Sequence, residues 1–176
     1  MTLESLVDSL PAYANDVKLN WRMAVKQPEL TPVQLWGTAL ASALAARNRT
    51  ILDAVTAEAA QVMDAPNLDA ACAANAIMST SNIYYRFIHL AEHDKYSTIP
   101  AHLRANAGRN SGALPADFEL WCVAVSAMNG CGACIKSHER GAREKGLTEE
   151  AILAAVRVAS VIHAIAVLVN EWDAPS

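Results

Sequence analysis

Long stretches of this chain pass without a helix breaker while apolar residues return every three or four positions. "TPVQLWGTALASALAARN", "TILDAVTAEAAQVMD", "LDAACAANAIMSTSNIYYRFIHLAEH" and "LTEEAILAAVRVASVIHAIAVLVNEW" all read this way, with alanine between the larger apolar side chains. Alanine has the best helix propensity, and the β-branched runs that favour strands are sparse. Only 7 glycines and 7 prolines interrupt 176 residues. The chain is therefore expected to be all-α.

Capping residues sharpen the boundaries. Thr2 is expected to cap a first short helix, which Pro11 ends before a second begins. Thr31 followed by Pro32 is an N-cap followed by a first-turn proline. Thr148 precedes an acidic first turn, Glu149 and Glu150, which suits the helix dipole. The segment "DKYSTIPAHLRANAGRNSGALPAD" is rich in Gly, Pro, Asn and Ser and reads as a linker with one short helix, "PAHLRANA".

The two sides of that linker echo each other. "PVQLWGTALASAL" (32–44) parallels "DFELWCVAVSAMN" (117–129), and each is followed by a shorter helix and a long apolar one. The expectation is two related helical halves in one domain: residues 1–92 as a degenerate half, 93–114 as linker, and 115–176 as the half that carries chemistry. Gln34 stands where the second copy has Glu119, and "AARNRTILDAV" stands where the second copy has its cysteines.

Charge removes several function classes. The net charge is −4 and the pI is near 5.7. No basic stripe of the kind nucleic acid requires is present. The loose group Lys136, Arg140, Arg143 and Lys145 reads as a solvated helix end. The N-terminus lacks a basic segment followed by an apolar run, so no signal peptide is expected. The longest apolar tract reaches membrane length only by including Arg157 and His163, so a buried or interfacial helix is expected there and no membrane partner. A mean hydropathy of +0.15 leaves apolar surface for a subunit interface. These features suit a cytoplasmic protein, where thiols stay reduced. The cysteines are then not a disulfide framework, and a close pair in that compartment reads as metal-binding or redox-active.

That pair is in "NGCGACIKSH", from Asn129 to His138. On a helix, Cys131, Cys134 and His138 fall at i, i+3 and i+7 and share one face. Asn129-Gly130 is a plausible break, which places Cys131 in the first turn, where the dipole favours a thiolate. Glu119 and His138 each lie roughly ten residues, or ~15 Å, from that break, so they come level in an antiparallel hairpin. A carboxylate facing an imidazole orients it and raises its basicity. A relay follows: Glu119 holds His138, and His138 takes the proton of a Cys134 thiol. Three other readings remain open on the residues alone. A CxxC with a histidine can bind zinc, with only Cys122 and His163 near enough in sequence for a fourth ligand. The thiols can be buried and structural. Glu119 can be a plain first-turn carboxylate.

The pattern Glu119, Cys131, Cys134, His138, written E-x11-C-x2-C-x3-H, resembles the alkylhydroperoxidase D (AhpD) family of the carboxymuconolactone decarboxylase-like superfamily. "LPAYANDVKLN", "QLWGTALASA", "AANAIMSTSNIYYR" and "DFELWCVAVSAMNGC" share the likeness, which covers nearly the whole chain. The resemblance implies an all-α fold of two related halves and a homotrimer. It implies an enzyme that reduces organic hydroperoxides through a CxxC disulfide cycle, with no bound cofactor or metal. Its electrons would come from the dihydrolipoyl groups of a lipoylated dehydrogenase component (dihydrolipoamide-type dithiols), and a peroxiredoxin would be a further partner. By position, Cys134 would attack the peroxide and Cys131 would protonate the leaving alkoxide and resolve the sulfenic acid, with His138 and Glu119 activating the thiol. Helix-start stabilisation favours Cys131 as the reactive thiol and histidine spacing favours Cys134; the resemblance selects Cys134. Some family members carry a histidine just before the second cysteine, where this chain has Ala133. That departure leaves a second function open, a dithiol electron-transfer adapter for a peroxiredoxin.

Other residues read as structural. Trp36 and Trp121 are expected core anchors. Cys72 and Cys122 read as small apolar fillers, and His163 as a hydrogen-bonded core residue. Tyr84, Tyr85 and Arg86 read first as packing residues and second as lining of a lipoyl access route or a subunit contact. His89, His93 and His102 lack ligand spacing.

Overall fold

The computed structural model describes residues 2–172, including the side chains of all but 109, 110 and 170–172. Residues 173–176, the end of the expected C-terminal half, lie outside the described residues. The fold is all-helical, and no strand occurs among the described residues.

Thr2 caps α1 (Leu3–Ser9) by accepting the Ser5 amide, and α2 (Asn15–Ala24) follows the break at Pro11. Helix α3 (Pro32–Ala46) opens with a full capping box, in which Thr31 and Gln34 each accept the other's backbone amide. Asn48 caps α4 (Arg49–Ala59), and Asp64 caps α5 (Ala65–Ala91). The expected short helix "PAHLRANA" is absent. Residues 101–105 have no regular structure and His102 adopts φ 50, a left-handed conformation that a helix cannot contain. The helical turns of the connection lie on either side, in α6 (Asp94–Thr98) and a 3-10 turn (Asn106–Asn110). The chain continues with α7 (Pro115–Met128), α8 (Gly132–Glu144) and α9 (Glu149–Trp172). Thr148 Oγ1 accepts the Ala151 amide at the start of α9.

Helices α3 and α7 pack together at the centre, and α5 and α9 each pack against both of them. Small residues make this approach possible. A Cβ added at Gly37 would fall 2.3 Å from the indole of Trp121, which is fully buried. Trp121 is thus a core anchor, and Trp36 packs edge-on against buried Trp21, with ring centroids 6.3 Å apart. Buried Gln34 donates its amide to Oδ1 of buried Asp117 at 2.8 Å, fixing the start of α3 to the start of α7. Burial pushes the Asp117 carboxyl above its ordinary pKa, and the Gln34 bond works against that rise.

The 149–169 segment of α9 is long and apolar enough to cross a membrane, yet 56% of its apolar window is buried inside the protein. It covers α3, α7 and α2. His163 is the exception to the sequence reading: it is exposed on the outer face of α9 and not a core residue. Cys72 also departs from expectation. It sits on the exposed side of α5, while Cys122 is fully buried as a filler.

Candidate active site

The turn between α7 and α8 builds the site. Gly130 adopts φ 67, and its amide donates to the Ala127 carbonyl while the Cys131 amide donates to Ser126. This pair of bonds is a Schellman closure of α7, in which a left-handed glycine satisfies the last free carbonyls. The residue after that glycine is Cys131, which serves at once as the N-cap of α8. Its Sγ accepts the Cys134 amide at 3.3 Å. A thiol in a position usually held by Ser, Thr, Asp or Asn faces the free amides and positive end of the helix.

One turn on, Cys134 packs against α5, with Sγ 3.8 Å from the Ser81 carbonyl. Both cysteines are buried and both are free thiols. Burial pushes the Cys134 thiol up to about 11, and its hydrogen bond with Cys131 adds to the rise, while the Asn82 side chain pulls it down. At neutral pH Cys134 therefore rests as a thiol.

His138 is its neighbour in the site. It lines a cleft of about 330 Å³ with Cys134, together with Ile77, Met78, Ser81 and Tyr85 from α5 and Ala133 from α8. Its Nδ1 lies 2.7 Å from Oε2 of Glu119. Burial works to raise the Glu119 pKa, but hydrogen bonds from His138 and Lys145 outweigh it and hold the carboxyl below its usual value. An ionised carboxylate only accepts, so Nδ1 carries the proton and Nε2 is the ring nitrogen left to take another.

The structure thus brings together all four residues singled out in the sequence. Glu119 meets His138 across the hairpin, and Cys131 meets Cys134 at the helix start. Cys134, not Cys131, shares the cleft with His138. Among the described residues no group of three or more His, Cys, Asp or Glu side chains is arranged to hold a metal ion.

Two parts of the site were not expected. Lys145 is not merely a solvated helix end: its Nζ donates to Oε1 of Glu119 at 2.9 Å. Gly141 lies under the same carboxylate, where a Cβ would come 2.9 Å from the Glu119 carboxyl carbon. Arg140 and Arg143 do behave as solvated cations, pairing with Glu144 and Glu139 along α8. Tyr85, read first as packing, borders the cleft. The α5 wall, Ile77, Met78, Ser81 and Tyr85, does follow helical spacing, but only the packing of α5 against α8 turns that face toward the thiols.

The chain is similar in sequence to known proteins over nearly its whole length. Residues 95–174 match the model of the carboxymuconolactone decarboxylase family. The chain is 53% identical over 171 residues to a protein of Acidobacterium capsulatum named alkyl hydroperoxide reductase AhpD, covering 97% of this chain and 93% of that one. Proteins of the same name from Solibacter usitatus (51% identical, 97% of this chain and 96% of that one) and Koribacter versatilis (54%, 98% and 90%) are similar over nearly their whole length. The chain belongs to the AhpD family.

Proposed function

We propose that this protein is a thiol-dependent alkyl hydroperoxide reductase that cycles Cys131 and Cys134 between dithiol and disulfide. The reading is supported most directly by one arrangement: Glu119 holds Nδ1 of His138 at 2.7 Å, and His138 shares its cleft with Cys134. The name carried by the relatives agrees with it.

The cycle balances as follows. His138 Nε2 takes the Cys134 proton, directly or through water, and the thiolate attacks the terminal oxygen of an organic hydroperoxide. The O–O bond breaks, Cys134 becomes a sulfenic acid, and the alkoxide takes a proton from Cys131 and leaves as the alcohol. The Cys131 thiolate then attacks the Cys134 sulfur, and the sulfenic hydroxyl takes the proton held by His138 and leaves as water, giving the disulfide. A dihydrolipoamide-type dithiol returns the pair to thiols by two exchanges and is itself oxidised to a disulfide. No bound cofactor or metal is required by this scheme. A lipoylated dehydrogenase component is the proposed carrier of that dithiol, and the cytoplasm is the compartment that suits reduced cysteines.

A homotrimer is part of the proposal. Ile83, Phe87 and Leu90 on α5 are 63%, 56% and 70% exposed, an apolar strip that a subunit contact would cover. A second reading, a dithiol adapter that passes electrons to a peroxiredoxin, draws on Ala133, which leaves His138 as the one imidazole lining the cleft. Peroxide consumption with dihydrolipoamide as the sole reductant separates the two. Wild-type turnover abolished by Cys134→Ser supports the peroxidase; no turnover unless a peroxiredoxin is added supports the adapter.

A further inference from the structure

Lys145 makes a contact that its surface position does not explain. Its side chain is 36% exposed and reaches across from α8 to a carboxylate that is 21% exposed on α7. As a stabilising surface ion pair it would contribute little. Its backbone, however, is fixed. Lys145 is the C-cap of α8, and the turn after it repeats the closure seen at α7: Gly146 at φ 93 donates to the Arg143 carbonyl, and Leu147 donates to Ala142. The stem therefore leaves the helix at a defined point, one turn beyond Gly141, whose missing side chain admits the Glu119 carboxylate against the helix. His138, Gly141 and Lys145 stand at i, i+3 and i+7, so one face of α8 grips one carboxylate at both oxygens.

We propose that Lys145 is a positioning residue of the thiol site: by holding Oε1 of Glu119 it keeps Oε2 on Nδ1 of His138, so that Nε2 remains directed to proton transfer at the cleft. A carboxylate with only one partner can rotate about its terminal bond and lose the imidazole, whereas two charge-assisted bonds on opposite oxygens fix its plane. The other groups around Glu119 do not supply this hold. Cys122, on α7, and Cys134, on α8, are thiols in the same neighbourhood. Helix α3 carries no ionisable side chain, and among the described residues no charged group of α5 or α9 pairs with Glu119.

This inference rests on the relay reading above, so the test separates the two. The rate of Cys134 alkylation by iodoacetamide is followed from pH 5 to 10 in the Cys131→Ser background, which isolates one reactive thiol in the cleft. Lys145→Met, Lys145→Arg and Glu119→Gln are compared, with circular dichroism to establish folding. Lys145→Met is expected to slow alkylation at pH 7 by about tenfold, the worth of one charge-assisted bond, and to move the acid limb of the profile to higher pH. Lys145→Arg is expected to restore the wild-type profile, because the cation and its reach are kept. A Lys145→Met profile that overlays the wild type while Glu119→Gln still slows the reaction would overturn the role of Lys145 alone. Profiles unchanged in both would overturn the relay itself. If Lys145→Met does not fold, failure of folded Lys145→Arg to keep the profile overturns the proposal.

Discussion

Glu119 lies directly over Gly141, the one position on that face of α8 with no side chain to meet it. The opposing atom is the far end of a flexible side chain, so a methyl group at 141 displaces the carboxylate rather than the helices. Gly141→Ala should therefore fold well, since alanine in a helix gains about 0.5–1 kcal/mol over glycine. It should also lose the 2.7 Å contact with His138 and slow Cys134 alkylation. Thermal melting and alkylation kinetics on the same sample check this. Unchanged reactivity would show that the Glu119 position is not critical.

Removing the carboxylate's charge tests the relay more severely. In Glu119→Gln, an amide can donate to Nδ1 and so move the ring proton to Nε2, the nitrogen that must accept. General-base assistance is worth about 10²-fold or more, and Cys134 alkylation at pH 7 should fall by that order. Retention of the wild-type rate would leave His138 without a partner in the chemistry.

The buried thiols set a pH dependence for folding. The Cys134 pKa is raised to about 11 and that of Cys122 is raised by burial and the nearby Glu119 and Cys134 charges, while an unfolded thiol titrates near ~8.5. Above ~8.5 the unfolded chain releases these protons and the folded chain retains them. Stability is therefore complete below that value and falls as pH rises toward 11. Urea denaturation at pH 7, 9 and 10 should show the decline, and Cys122→Ala should reduce its slope. A slope unaffected by that substitution would contradict the assignment.

The centre of the fold offers a separate test. Gly37→Ala forces a methyl group into the rigid, buried Trp121 ring. Overpacking of this kind costs about 1–3 kcal/mol. The melting temperature should drop, which differential scanning calorimetry checks. A neutral effect on melting would mean that α3 and α7 have more room than the contact indicates.

The helices and the four site residues were legible because their signals are local. Thr2, Thr31 and Thr148 mark helix starts through their own side chains, and Cys131, Cys134 and His138 share a face by spacing alone. Glu119 was within reach because a tight hairpin makes its register calculable. What escaped depends on long-range packing. Lys145 looks like any cation near a helix end until α7 supplies its carboxylate. Gly141 has no meaning until Glu119 lies over it. His163 sits in an apolar sequence but on the outer side of α9, and the exposure of Cys72 likewise follows from which face of α5 meets its neighbours. The "PAHLRANA" segment has helical composition, and the left-handed backbone at His102 overrides it.

The most direct measurement of the central claim is a thiol count with peptide mapping after one equivalent of an organic hydroperoxide. The reduced protein has four free cysteines, Cys72, Cys122, Cys131 and Cys134. The account predicts the loss of two thiols per chain and a Cys131–Cys134 disulfide that dihydrolipoamide reverses. Four thiols remaining, or oxidation confined to exposed Cys72, would contradict it.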